Sequence, residues 1–229
     1  MDSVGCKTAG VGHNPRLHGA SFLLMSDGVL LRARELAVWR GERCLFEQLQ
    51  FDLAPQQLAL LVGANGSGKT TLLRILAGLA QPTQGSVTWK GIAVSDLPPE
   101  ERAEVAYRGH LEALKRDLTV AENLRFHATL WRREPAFEHL LQELKLDKAA
   151  HMRARYLSAG QSRRAALAML KLSGAKLWLL DEPTTNLDSE GRALLVEWLR
   201  RHLAAGGLAV CATHQPDDLA MSGALVIEL

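Results

Sequence analysis

The feature that most constrains this chain is a glycine-rich segment between two apolar runs. The run Leu58–Val62 is continuously apolar, and the next eight residues are Gly63, Ala64, Asn65, Gly66, Ser67, Gly68, Lys69 and Thr70. Residues 71–77 then show helical spacing, so the order is strand, loop and helix. Such a loop turns backbone N–H groups inward, and the next helix adds its positive N-terminal end, which predicts a phosphate-binding site.

The side chains of this loop predict a nucleoside triphosphate as the ligand. Lys69 supplies a fixed cation for the β- and γ-phosphates, and the Thr70 hydroxyl is a ligand for Mg²⁺. The glycines are needed because a Cβ would block the phosphates or forbid the turn. We therefore assign nucleotide binding to residues 63–70 and to Thr71, with a chance glycine turn before a helix as the alternative.

Length and composition limit the architecture around this loop. The 229 residues suffice for one α/β domain with a small subdomain and are too few for two nucleotide-binding units. A net charge of +2 gives no reason to predict nucleic-acid binding, and no window of 18 apolar residues predicts a membrane span. The cysteines Cys6, Cys44 and Cys211 are widely spaced, so reduced thiols in a cytosolic protein are expected.

The chain divides into an extension and one domain. Residues 1–28 are rich in Gly, Ser and His and show no periodicity, which predicts a disordered extension, and we hypothesise that translation begins at Met25. Within the domain, residues 29–229, alternation over 30–38 and 45–53 predicts an antiparallel strand pair. A helical subdomain is predicted over about 96–172, because Thr119 and Glu122 have capping-box spacing and no strand pattern follows them up to Leu172.

Acidic residues end a second apolar run, Leu177–Asp181. Open α/β sheets bind ligands at the carboxyl ends of their strands, so Asp181 is predicted to hold Mg²⁺ through water, together with Thr70. Glu182 can then orient and deprotonate the water that attacks the γ-phosphate. The alternative is a pair of surface acids at a strand end. His214 follows a third apolar run and, taken alone, would be a solvated or capping residue.

The order of these motifs over residues 30–229 resembles the ATP-binding cassette of ABC transporters. The resemblance implies an α/β P-loop NTPase with a parallel core sheet, an antiparallel β subdomain and an inserted α-helical subdomain, which hydrolyses ATP to ADP and phosphate. The motifs that match after the phosphate loop are Ser158, Ala159, Gly160 and Gln161 as the signature, Asp181 and Glu182, Asn186, Leu187 and Asp188 as the D-loop, and His214 as the switch histidine.

In that family two copies close head to tail on two ATP molecules. The resemblance therefore implies that Ser158 and Gly160 face the γ-phosphate held by a second copy of this chain, and that His214 contacts the γ-phosphate in its own site. ATP and Mg²⁺ are the implied cofactors. Ala159 departs from a more common glycine, and the signature serine is kept.

Two further positions are expected by the same resemblance. His110 lies where the family has a glutamine that contacts Mg²⁺, and this segment contains no glutamine. Trp39 lies where an aromatic side chain stacks on adenine, and ordinary strand packing is the alternative for this residue.

Shorter features are similar to the CcmA branch of the family. They are Arg108-Gly109-His110, the signature followed by Arg163-Arg164, and Leu177-Trp178-Leu179-Leu180. That branch implies an ATPase subunit in cytochrome c biogenesis that powers haem export or release of the haem chaperone CcmE. Its implied partners are a CcmB-type membrane subunit and CcmC, CcmD and CcmE, at the cytoplasmic face of the inner membrane, without nucleic acid. The alternatives are another small ABC exporter ATPase, a soluble ABC ATPase acting on ribosomes or DNA, and an ATP-binding regulatory module.

Overall fold

A computed structural model describes residues 17–18, 28–109, 114–219 and 221–229. The strands are β1 (Leu17–His18), β2 (Leu31–Arg40), β3 (Arg43–Leu53), β4 (Leu58–Val62), β5 (Gln84–Trp89), β6 (Ile92–Ala93), β7 (Val105–Arg108), β8 (Leu177–Asp181), β9 (Leu208–Ala212) and β10 (Leu225–Glu228). The α-helices are α1 (Lys69–Leu76), α2 (Pro99–Arg102), α3 (Val120–Leu130), α4 (Phe137–Glu143), α5 (Ala159–Ser173) and α6 (Ser189–Ala204). Short 3₁₀ helices cover Asp147–Ala149, Ala154–Tyr156 and Pro216–Leu219.

The core sheet has six strands in the order β1-β10-β4-β9-β8-β7. All neighbours are parallel except β1, which pairs antiparallel with β10. The central strands β4 and β9 are apolar throughout, and β8 is apolar up to Asp181, as expected for strands of a parallel sheet that is covered on both faces. In β4, for example, Leu58 and Leu60 pack with the helices of one face, and Ala59 and Leu61 pack on the other.

The second face is covered by α1 and by a four-stranded antiparallel sheet in the order β3-β2-β5-β6. The predicted pairing of β2 with β3 is confirmed, with Leu31 opposite Leu53 and Arg40 opposite Arg43. Bulges interrupt its register between Ala33 and Trp39. Helix α1 therefore starts at the phosphate loop and is buried in one apolar cluster with both sheets, which fixes its first turn.

The first face is covered by α3, α4, α5 and α6 in one apolar cluster. The predicted capping box of α3 is present, because the Thr119 hydroxyl accepts from the N–H of Glu122 and the Glu122 carboxylate accepts from the N–H of Thr119. Ser158 and Gln161 form the same reciprocal pair at the start of α5. The predicted α/β fold class, with one parallel and one antiparallel sheet, is confirmed.

Strand β7 was not expected, because residues 105–108 lie inside the range assigned to helices. It pairs parallel with β8 at the edge of the core sheet, and each of its residues is only half-buried. Four residues at a sheet edge are too few to show a periodicity, so the sequence could not reveal them. The predicted extension 1–28 lies mostly outside the described residues, as does Met25, although Leu17–His18 form β1. None of the helices in the described ranges is both long and apolar enough to cross a bilayer.

Candidate active site

The phosphate loop joins the end of β4 to the start of α1 and has the shape that its glycines predict. Gly63, Gly66 and Gly68 all have positive φ, at 145°, 79° and 112°. A Cβ at Gly68 would lie 3.1 Å from two ring carbons of Phe46, and a Cβ at Gly63 would lie 2.4 Å from the Leu229 carbonyl oxygen. Glycine is therefore required here both by the backbone and by the neighbouring chain.

Two polar side chains of this loop are directed to its own interior. The Lys69 ammonium donates to the carbonyl oxygens of Gly63, at 2.7 Å, and Ala64, at 3.0 Å, and the side chain is buried. The buried hydroxyl of Ser67 has no hydrogen-bond partner within the described ranges. A buried donor without an acceptor is unfavourable, and a phosphate oxygen in the loop would satisfy it. The loop thus has the donors that a bound phosphate chain needs.

Thr70 and Asp181 meet although 111 residues separate them. The Thr70 hydroxyl at the start of α1 donates to Oδ2 of Asp181 at the end of β8, over 2.7 Å, and Asp181 is buried. Hydroxyl and carboxylate oxygens are the ligands that Mg²⁺ prefers. On neighbouring β7, burial and then the negative charge of Asp181 raise the pKa of the Tyr107 phenol.

Glu182 and His214 form the second contact of the site. Oε2 of Glu182 lies 2.7 Å from Nδ1 of His214, and the two residues follow neighbouring strands β8 and β9. An ionised carboxylate only accepts hydrogen bonds, so Nδ1 carries the proton in this contact. Glu182 adopts the left-handed conformation, with φ 50°, which is strained for a residue with a side chain and is a recurrent feature of active sites.

The signature residues lie apart from this site in the same chain. Ser158 is exposed at the N-terminal end of α5, where its hydroxyl oxygen accepts a hydrogen bond from the N–H of Gln161. In the described part of the chain no hydrogen bond or ion pair joins Ser158, Ala159, Gly160 or Gln161 to the phosphate loop. A single copy therefore does not bring the two motifs together.

The D-loop lies beside the signature helix. Asp188 caps α6 by accepting from the N–H of Gly191, over 2.8 Å, and its other oxygen is 3.8 Å from the Arg164 guanidinium on α5. Leu187 is buried, and Asn186 is exposed in the left-handed conformation. The signature and the D-loop of one chain are thus held together.

Sequence reasoning missed the contacts of two neighbouring arginines, of which Arg163 lies beside Glu182. Arg163 of α5 donates to the Thr185 carbonyl oxygen at 3.2 Å and lies 3.5 Å from that of Glu182. Arg108, at the end of β7, donates to the Ala166 carbonyl oxygen at 2.8 Å. Burial, and then the charge of Arg163, lower the pKa of Arg108 to about 10. The pair Arg163-Arg164 was visible as a subfamily feature, but its contacts depend on how α5 packs on the sheet.

The two positions expected from the resemblance, Trp39 and His110, both stay predictions. Trp39 lies at the end of β2, half-buried and opposite Cys44, on the hairpin that packs against the phosphate loop through Phe46 and Gly68. Its stacking on adenine stays a prediction. His110 lies outside the described residues, which stop at Gly109 and resume at Leu114.

Fold and site together define a P-loop nucleotide hydrolase of the ATP-binding cassette class. A family model described as ABC transporter matches residues 46–185. The chain is 45% identical over 194 residues to a cytochrome c biogenesis ATP-binding export protein, CcmA 2, of Cupriavidus metallidurans. The matched region covers 83% of this chain and 92% of that protein. It is 44% identical over 201 residues to CcmA of Rhodospirillum rubrum, which covers 87% and 85%. The chain belongs to the ABC transporter family, in its CcmA branch of ATP-binding subunits.

A solved structure agrees with this assignment. The fold matches a structure described as the ATP binding subunit of an ABC transporter, with a TM-score of 0.72 and 26% identity over 81% of this chain and 79% of that chain. ABC transporter ATP-binding subunits are ATPases, so ATP binding and ATP hydrolysis are the activities of this class of protein.

Proposed function

We propose that this chain hydrolyses ATP as a subunit of an ABC export complex of cytochrome c biogenesis. The observation that carries the proposal is the buried carboxylate of Glu182, which lies 2.7 Å from His214 and follows the Asp181 that is bonded to Thr70. These groups occupy the carboxyl ends of adjacent parallel strands beside the phosphate loop. The biological setting rests on the names of the CcmA relatives.

The residues of one chain divide the hydrolysis step among them. Glu182 takes the proton from the attacking water, whose oxygen bonds to the γ-phosphorus as the bond to the β–γ bridging oxygen breaks. Lys69 leaves the loop carbonyls for the β- and γ-phosphates and offsets the charge on the departing ADP. Thr70 and Asp181 would hold Mg²⁺, which supplies electrostatic stabilisation of the phosphates when it is bound. His214 orients Glu182 and contacts the γ-phosphate.

A second copy of the chain completes the site. Ser158 is exposed, and because its oxygen accepts from Gln161 the hydroxyl proton can still be donated to a γ-phosphate. The N-terminal end of α5 adds a positive potential for the same anion. We propose that the signature residues 158–161 of each copy close on the ATP that the other copy holds.

The partners follow from the proposed setting. A CcmB-type membrane subunit would dock on the helical part of the chain, with CcmC, CcmD and CcmE in the larger complex, at the cytoplasmic face of the inner membrane. ATP turnover would drive haem export or the release of haem-loaded CcmE.

The test uses the full chain and its Glu182→Gln variant. The variant should bind ATP normally, lose hydrolysis by about 10²- to 10⁴-fold, and form a dimer in ultracentrifugation only with ATP and Mg²⁺. The matched control is Glu197→Gln, because Glu197 is a partly exposed acid of α6 that pairs with Arg201. Unchanged turnover in Glu182→Gln would remove Glu182 from its role.

The membrane setting is tested separately by affinity purification from solubilised membranes of the native host. An integral membrane subunit should co-purify with the Glu182→Gln variant. Sedimentation with ribosomes and no membrane partner would contradict the transport role and leave the ATPase assignment standing.

A further inference from the structure

Arg43 lies against the phosphate loop, although no motif includes it. Its Nη2 donates to the carbonyl oxygen of Gly66 over 3.3 Å, and it is the nearest group to a Cβ placed on Gly66, at 3.9 Å. Gly66 is the middle glycine of the loop and has φ 79°. A guanidinium therefore lies on the rim of the phosphate site, in addition to the Lys69 ammonium.

The position of Arg43 is fixed by the strand that carries it. Arg43 is the first residue of β3. Leu45 and Phe46, which follow it on that strand, pack on the same loop: they lie 3.3 Å and 3.1 Å from a Cβ built on Gly68. The hairpin and the loop thus form one packed unit. Trp39, which is predicted to contact adenine, lies on the other strand of this hairpin, opposite Cys44.

Two arginines lie opposite each other where the hairpin turns. Arg43 lies directly opposite Arg40, and both are exposed. In the described ranges of the chain no ion pair joins either arginine to an acidic side chain, although Glu42 lies in the turn between them, and Asp52 of the same hairpin is paired with Arg32 and Arg34. Like charges directly opposite each other on a strand pair are unfavourable, and an anion bound nearby offsets that repulsion. A single exposed hydrogen bond to a carbonyl gives little stability in return.

We propose that Arg43 is a further nucleotide-binding residue whose guanidinium contacts the phosphate chain of ATP held in the loop. After the bond to Gly66 it has four N–H donors left, and the planar fork suits phosphate oxygens. The contact belongs to a single chain, so it is independent of the dimer and of the membrane partner.

The experiment measures binding of AMP-PNP, a non-hydrolysable ATP analogue, with Mg²⁺ by calorimetry of the full chain. Arg43→Ala should weaken binding about tenfold and Arg43→Gln nearly as much, whereas Arg43→Lys should lose no more than about threefold. The matched control is Arg40→Ala, which removes the same charge from the opposite position and should change affinity less than about twofold. The loss in Arg43→Ala should shrink as salt is raised, because screening weakens a charge contact.

Each outcome decides the proposal. Equal affinities of Arg43→Ala and Arg40→Ala would overturn it. Wild-type affinity in Arg43→Gln would also overturn it, because glutamine can keep the bond to Gly66 without the charge. Thermal unfolding verifies that the variants fold, and if Arg43→Ala does not, the difference between Arg43→Lys and Arg43→Gln carries the test.

Discussion

Nδ1 of His214 lies 2.7 Å from Oε2 of Glu182, so the histidine that we propose as the γ-phosphate contact is joined directly to the carboxylate that we propose as the catalytic base. The Glu182 side chain is 10% exposed and that of His214 is 51% exposed, which leaves the outer edge of the imidazole open to the nucleotide. A neutral ring with its proton on Nδ1 has only an acceptor at Nε2. Contact with a γ-phosphate oxygen therefore requires a second proton or release of Glu182.

This pairing predicts different results for two substitutions of His214. His214→Ala removes both contacts, and we expect kcat to fall by about tenfold or more. His214→Gln keeps an amide that can donate to either partner, so its kcat should lie between that of His214→Ala and the wild type. Phosphate release under saturating ATP is the measurement. Equal rates in the two variants would show that the hydrogen bond to Glu182 is not used.

Thr119 and Ser158 form capping boxes of the same kind, so comparing their substitutions separates the effect of helix capping from the proposed role of the signature serine. Ser158→Ala and Thr119→Ala each remove a side-chain acceptor for an N3 N–H, and each should cost about 1 kcal/mol of stability. Only Ser158→Ala should also reduce ATP hydrolysis, by more than about tenfold, because Thr119 contacts no nucleotide in the proposed dimer. Chemical denaturation and phosphate release measure the two effects. A comparable loss of turnover in Thr119→Ala would assign the effect to helix stability.

Gly68 of the phosphate loop should be less tolerant of alanine than Gly91, a glycine that also has positive φ but has no close neighbour. Gly91→Ala places a side chain at φ 82° with nothing within 4 Å, so it should cost only about 1–2 kcal/mol for the left-handed conformation. Gly68→Ala has φ 112° and also meets the Phe46 ring at 3.1 Å, so it should cost more and weaken ATP binding. The free energy of unfolding and the AMP-PNP affinity are compared. Equal unfolding energies would mean that Phe46 moves without cost.

His202 predicts a stability that depends on pH. Its ring stacks on Trp178 at 3.9 Å, Nε2 lies 3.0 Å from the Leu208 carbonyl oxygen, and burial lowers the pKa below its usual 6.5. Below that usual value the unfolded chain binds a proton that the folded chain resists, so the free energy of unfolding falls as pH decreases. His202→Gln should flatten this fall between about pH 7 and 5.

The exposed residue His151 supplies the control for this effect. Urea denaturation at several pH values gives the slope for each protein, and His151→Gln should keep the wild-type slope. If the free energy of unfolding of His202→Gln changes with pH as steeply as that of the wild type, His202 is not the source of the pH dependence. This holds whatever stability is lost with the missing stack on Trp178.

Local patterns predicted most of the elements. The third apolar run forms β9, and the capping box predicted at Thr119 and Glu122 is present, because its residues lie three positions apart and need no distant partner. Strand β7 was missed, since its conformation comes from pairing with β8, which follows about 70 residues later in the chain.

The sequence by itself determined a phosphate loop, two neighbouring carboxylates at a strand end, to which we assign metal binding and general-base catalysis, and the family to which the order of these motifs belongs. These motifs can be recognised from residue type and short spacing alone, because each consists of residues that are close together in the sequence. The tertiary structure alone decided that Thr70 meets Asp181, that Glu182 meets His214, and that Arg43 reaches Gly66, across 111, 32 and 23 positions. Such contacts depend on strand order and helix packing, because the burial of apolar faces brings distant segments together regardless of the polar groups that they carry.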